Sequence, residues 1–275
     1  MPGFAAMSLW FLGYPDQALA RVGEALAMAQ KLSEPHGLAH AHFFMTIIHQ
    51  LRGETKGAQQ HAESSLAIAR EHGLGLYQAM ATVMRSWALS LQTPREELIE
   101  EIRQGIADHQ ATETVVLLPH FCALLAEALY LMNQTDEALD VLEKALAVVH
   151  RDGERYYEAE MYRLKGEFLF KQAESQTLSP QGKRQKSATA LNTMLKDAER
   201  CFQQAIEIAQ QQKAKSFELQ AVISLAGLYK KQNKRKEACD QLGKVYEWFT
   251  EGFDTADLRA AKMLLAELSH SSHVR

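Results

Sequence analysis

The chain has 275 residues, 47% of them hydrophobic and 23% charged, which is globular composition with enough apolar material for a substantial core. Thirty basic against thirty-four acidic residues leave a formal charge of −4, which argues against the basic footprint of a nucleic-acid-binding domain and disfavours nucleic acid as a partner. Three widely spaced cysteines, no stretch near the roughly 20 apolar residues that cross a bilayer, and a start without a basic secretory leader predict a cytoplasmic protein with no membrane partner.

One pattern recurs along the chain: a small residue, an apolar one four further on, a small one at seven, then a large aliphatic. It reads Ala18, Val22, Ala25, Leu26, then Ala58, Ala62, Ser65, Leu66, then Leu98, Ile102, Gly105, Ile106. Further copies are Ala138, Leu142, Ala145, Leu146, then Ala198, Phe202, Ala205, Ile206, and last Ala238, Leu242, Val245, Tyr246. The leading positions are 40 residues apart, except for one gap of 60 between 138 and 198. Spacing of four and seven is one face of an α-helix, and small residues there let a second helix come close. That second helix lies upstream of each copy, as in Phe43–Leu51, Met80–Leu89 and Leu124–Leu129, and Gly or Pro marks most of the boundaries.

The expected fold is therefore all-α, a superhelical solenoid over residues 1–275 made of six 40-residue hairpins and a capping helix. The hairpins are placed at 3–33, 36–73, 75–111, 115–151, 154–212 and 214–250, with the cap at 255–269. The first helix, with Phe4, Trp10 and Phe11, reads as uncovered on its outer side, which suggests a start inside a longer array and self-association through the N-terminal hairpin. The fifth hairpin carries an insertion at 172–189 that is polar and includes Lys183, Arg184 and Lys186; disorder is expected there, with a basic arm as the functional reading. Residues 255–269 are amphipathic, and Leu258, Ala261, Leu264, Leu265 and Leu268 share the side expected to cover the last repeat.

These residues resemble the tetratricopeptide repeat, lengthened from its usual 34 residues by about one turn per helix and departing from the pattern at Leu98. Four segments carry a narrower likeness: Leu12–Ala20, Gly153–Glu160, Leu164–Glu167 and Trp248–Thr255. They resemble the C-terminal repeat region of bacterial nucleotide-cyclase and STAND-ATPase signalling proteins, and of ATP-dependent LuxR-type transcriptional activators. The resemblance implies a sensing or scaffolding region. The cyclase and ATPase modules of those proteins are not in this chain, so neither activity carries over.

In such a solenoid the first helices of the hairpins line a concave groove. Aligning the copies assigns to it His40, Phe43, Ile47 and Gln50, then Met80, Val83 and Trp87, then His120, Glu127 and Tyr130. Glu160, Arg163, Glu167 and Phe170 follow from the fifth hairpin, and Ile223, Lys230 and Lys231 from the sixth. The face grades from aromatic to charged, which suits an extended peptide or amphipathic helix of a partner protein. Packing against the next repeat is an equally good account of Phe43, Ile47 and Trp87. His36 and His40 lie one helical turn apart, with His42 and His49 nearby, but nothing completes a zinc-ligand pattern, so no metal and no cofactor is expected. Cys122, Cys201 and Cys239 read as small buried hydrophobes. With no phosphate loop or nucleophile motif, the chain is expected to be a non-catalytic binding module, the alternative being an effector-sensing domain.

Overall fold

A computed structural model of the chain describes residues 2–178 and 188–270, and those residues form thirteen α-helices and no strand. In order these are α1 (Pro2–Phe11), α2 (Pro15–Leu32), α3 (Pro35–Leu51), α4 (Thr55–Glu71), α5 (Gly75–Ser90), α6 (Glu96–Ala111) and α7 (Leu118–Leu131). They continue as α8 (Thr135–Asp152), α9 (Glu158–Leu178), α10 (Ala188–Gln211), α11 (Lys215–Lys231), α12 (Arg235–Tyr246) and α13 (Ala256–His270). The all-helical hairpin architecture read from the sequence is the architecture observed. The chain forms two compact units. Unit 1 holds the residues up to Val141 together with Thr250–Ala256; unit 2 holds Leu142–Phe249 and the residues from Asp257 onward.

The forty-residue stripe is the packing seam. Ala18 and Val22, Ala58 and Ala62, Leu98 and Ile102, Ala138 and Leu142, Ala198 and Phe202, and Ala238 and Leu242 are all buried. A facing stripe runs along the first helices, forty residues apart except for a gap of 60 before the last: Ala6, Thr46, Ser86, Ala126, Gly166 and Ala226, also buried. Two crossings show why these positions stay small. A Cβ on Gly105 would lie 2.7 Å from Cγ2 of Val83 and 3.1 Å from the Ala79 carbonyl oxygen, so α5 and α6 touch backbone to backbone. At Gly166 the Phe202 ring would be 2.5 Å away, and the missing side chain on α9 makes room for the large one on α10.

In unit 1, α3 contacts α1, α2, α4 and α5, and α5 contacts α4, α6 and α7. In unit 2, α11 contacts α9, α10 and α12, and Leu258, Ala261 and Leu268 of α13 join the buried cluster that includes Phe202, Leu225, Leu228 and Leu242. Leu264 and Leu265 are partly buried against the same cluster.

Disorder was expected over the insertion of the fifth hairpin, 172–189; helix occupies 172–178, at the end of α9, and 188–189, at the start of α10, and the remainder of that expectation, 179–187, lies outside the described residues. The flanks of the insertion carry apolar and ionic anchors: Ala173 and Met194 are buried, and Glu174 pairs with Lys231 at 2.9 Å. The basic run Lys183, Arg184 and Lys186 lies outside the described residues.

Most hairpin ends stop on a residue in the left-handed conformation. Gly13, Gly53, Asn133 and Asn233 follow first helices, while Ser33, Gly73, Glu113, Gly153 and Lys213 follow second helices. The exposed Lys213 holds φ at +57°, a conformation that costs a side chain about 1–2 kcal/mol. Lys213→Gly is expected to gain about 1 kcal/mol and raise Tm by about 2–4 °C, part of the gain being offset by a looser unfolded chain. A lower Tm in calorimetry would contradict this account.

Histidines stitch unit 1. Nδ1 of His42 on α3 lies 3.0 Å from Nδ1 of His61 on α4, a hydrogen bond that needs one proton shared between two rings. His49 stacks on His61 and bonds Glu54 at 2.6 Å, and Nε2 of His120 bonds Oε1 of Gln50 at 3.0 Å. Burial lowers the pKa of His40, His42 and His109, holds His120 at about 3, and with the nearby His49 and His42 brings His61 to about 4. These rings fold neutral, so their stabilisation is present above the ordinary value near 6.5 and is lost as pH falls toward the folded values. In unit 2 burial raises Asp257 from 3.8 to about 6, which favours the fold as pH falls and so has the opposite sign. Five rings against one carboxyl predict a Tm that drops between pH 7 and 5, and a shallower drop in His61→Phe. A Tm flat across that range would refute it.

Candidate functional site

Three successive hairpins and the loop before α7 enclose a pocket of about 370 Å³ in unit 1. It is lined by Phe4 of α1, by His36, Gly37, His40, Phe43 and Phe44 of α3, by Leu76, Tyr77 and Met80 of α5, and by Thr114, Val116 and Leu117. Helical spacing puts His36, His40 and Phe43 on one face of α3, while Tyr77 and Met80 are one turn apart on α5. The rings pack on one another: Phe4 meets Phe44 edge-on at 4.9 Å, His40 lies 4.7 Å from Phe44, and His36 meets Tyr77 edge-on at 5.1 Å. Nδ1 of His40 is 3.0 Å from the Tyr77 hydroxyl. Burial, then the neighbouring His36, hold His40 neutral, while burial and the Glu34 charge push Tyr77 upward. The wall is thus largely aromatic and apolar and holds no Asp, Glu, Lys or Arg, with a few polar ring and hydroxyl atoms to orient a guest.

The rim at Val115 and Val116 is apolar and open to solvent, with Val115 58% exposed. Next to it Leu117 is buried with φ at +72°, a strained conformation for a leucine. His109 sits under this loop, fully buried and edge-on to Phe121 at 5.2 Å.

Of the residues assigned to the groove from sequence, His40, Phe43 and Met80 come together in this pocket. Ile47 and Val83 are fully buried between helices. Trp87 is buried, and its Nε1 donates to Oε2 of Glu127 at 2.9 Å, a tie between residues forty apart; Gln50 and His120, 70 apart, bond at 3.0 Å. Tyr130 is half-buried.

In unit 2 Arg163 makes a two-point bond to Glu160 at 2.7 and 2.6 Å and reaches Glu167 at 3.8 Å. Phe170 is buried, Ile223 packs partly buried on the core, Lys230 pairs with Glu267, and Lys231 with Glu174. Sequence reasoning missed Asp257, whose carboxylate accepts from Gln220 at 2.7 Å close to the Arg163–Glu160 pair. It also missed Phe4, Phe44, Tyr77 and Leu117. The adjacent Phe43 and Phe44, with Tyr77 one turn before Met80, are the signal that could have found the pocket.

Among the described residues no group of three His, Cys, Asp or Glu side chains is placed to hold a metal ion, and no helix is long and apolar enough to cross a membrane. The three cysteines are free and partly buried, and burial pushes the Cys122 thiol up to about 11.

Comparison with known proteins adds the following. Residues 3–24 and 122–156 each match the tetratricopeptide repeat. No curated protein matches the chain. Among solved structures, the TPR-like repeats of a Podosopora anserina protein described as a kinesin light chain align at 16% identity over 86% of this chain and 98% of that one, with a TM-score of 0.47. A Q17M form of it aligns at 17% identity over 75% of this chain and 92% of that one, also at 0.47. A circular tandem repeat protein with a novel repeat topology aligns at 11% identity over 94% and 76%, at 0.32. The two sequence matches fall on α1–α2 and α7–α8, so these two hairpins are similar to the tetratricopeptide repeat, and the hairpins between them keep the same forty-residue spacing.

Proposed function

We propose that the chain is a non-catalytic binding module that holds a segment of a partner protein and anchors one uncharged apolar side chain of it in the aromatic pocket of unit 1. The pocket carries this reading. It is the place where first helices of successive hairpins present aromatic surface around an open volume, and buried aromatic anchors supply most of the affinity in such contacts. No Asp, Glu, Lys or Arg lines it, which favours an uncharged guest. The resemblance of the Leu12–Ala20 and Trp248–Thr255 segments to repeat regions of bacterial signalling proteins supports a place in a cytoplasmic signalling regulator. A second reading, a small uncharged effector in the same pocket, is favoured by its volume, which falls at the lower end of small-molecule sites.

Peptides selected on the full chain from a random displayed library test the first reading. The selected set is expected to share an aromatic or branched aliphatic residue. Each peptide is expected to bind Phe4→Ala and Tyr77→Ala at least about tenfold more weakly, the equivalent of about 1.4 kcal/mol. Peptides indifferent to both variants would place binding elsewhere. A thermal shift with small aromatic compounds, and none with peptides, would favour the effector reading.

A further inference from the structure

Between α12 and α13, residues 250–256 return to unit 1 and lie on the corner formed by the start of α2 and the end of α3. The start of α2 has no side-chain cap of its own. Glu251 supplies one: its Oε1 accepts from the backbone N–H groups of Asp16 and Gln17, both at 3.0 Å, and its Oε2 accepts from Nε2 of Gln17 at 2.9 Å. Asp16 answers by accepting from the Gly252 N–H at 2.9 Å. Gly252 has φ at +74°, and a Cβ there would fall 2.1 Å from Cγ of Pro15, so only glycine fits.

We propose that this corner is a recognition site for acidic Glu-Gly segments, filled in cis by the chain's own residues 251–255. The site is built independently of its occupant. Arg52 is 3% exposed and donates to the Pro15 carbonyl at 2.9 Å, to Asp16 at 2.9 Å and to Glu54 at 2.8 Å, and each of these partners belongs to the corner. Burial disfavours its charge, but the Glu54 and Asp16 carboxylates outweigh that and hold the guanidinium in place. What meets the occupant is Nη2, which lies 3.5 Å from Asp254, together with the Asp16 and Gln17 N–H groups that Glu251 caps.

The occupant brings its own shape: the Thr255 N–H and Oγ1 both donate to the Gly252 carbonyl, at 2.9 and 2.7 Å, and fold the segment into a turn before it docks. Asp254 is 78% exposed, and the bonds from Asp16 and Gln17 to Glu251 face solvent, so a competing segment reaches the same groups. In the other hairpins of unit 1, the positions forty residues from Arg52 and its successors hold Leu12, Gln92 and Met132, none of them cationic. Two segments singled out in the sequence, Leu12–Ala20 and Trp248–Thr255, are thus the two halves of one interaction.

A fluorophore-labelled peptide of residues 248–257, capped at both ends, tests this by anisotropy against the full chain. In the unaltered protein the tethered segment competes at an effective concentration of about 1 mM, so binding is weak. Glu251→Gln, and separately Gly252→Val, empty the corner and are expected to bind the peptide at least about tenfold more tightly than the unaltered chain. Adding Arg52→Met to either variant abolishes that gain, as does replacing the peptide's own glutamate with glutamine. Circular dichroism confirms that each variant is folded, and Glu251→Gln, which alters only a solvent-facing carboxylate, serves if Gly252→Val is not. A folded Glu251→Gln variant that binds no more tightly than the unaltered chain would overturn the proposal, as would equal binding of the glutamine peptide.

Discussion

The closeness of paired helices at one point in each hairpin governs this structure. Where a small residue on the first helix faces a small or apolar one on the second, the backbones approach until a single added carbon would collide, as at Gly105 and Gly166. That contact fixes the crossing, and the crossing fixes which residues of each helix point to the next hairpin. Because it recurs every forty residues, like residues in successive copies land in like places. Trp87 and Glu127, forty positions apart on α5 and α7, therefore bond across neighbouring hairpins.

The pocket of unit 1 follows from the same regularity. No single hairpin has enough aromatic surface to make a cavity, but α1, α3 and α5 bring Phe4, the Phe43–Phe44 pair and Tyr77 to one level. The neutral histidines belong to this economy of charge. A buried imidazole serves as a polar tie only while uncharged, which couples the integrity of unit 1 to pH. In unit 2 the corresponding helix face is ionic, and Arg163 is already committed to Glu160 and Glu167.

The packing seam was legible in the sequence because it is periodic, and even Leu98, which breaks the small-residue pattern, is buried at the seam with Gly105 providing the close approach. The facing stripe at Ala6, Thr46, Ser86, Ala126, Gly166 and Ala226 was equally periodic but mixes Thr and Ser with Ala and Gly, so hydrophobicity does not reveal it. The candidate site was legible in part. His40, Phe43 and Met80 follow from helix register, whereas Leu117 lies on an irregular loop with no period to read. The meeting of Glu251 with Asp16 and Gln17 joins positions about 235 apart by polar contacts, and nothing in local patterning announces it. At the edges of the polar insertion, composition alone does not register that Ala173 and Met194 are buried and that Glu174 finds Lys231.

The fifth hairpin shows where such a chain can vary in size. Its helices run 21 and 24 residues, while α3 and α4 have 17 each, yet the seam residues Gly166, Ala198 and Phe202 keep their places and the next hairpin resumes on beat. The added length lies at the far end of the pair, beyond the crossing that sets register. Length is therefore added to one helix pair without disturbing the order of its neighbours, and a repeat chain tolerates such growth wherever it falls beyond the crossing.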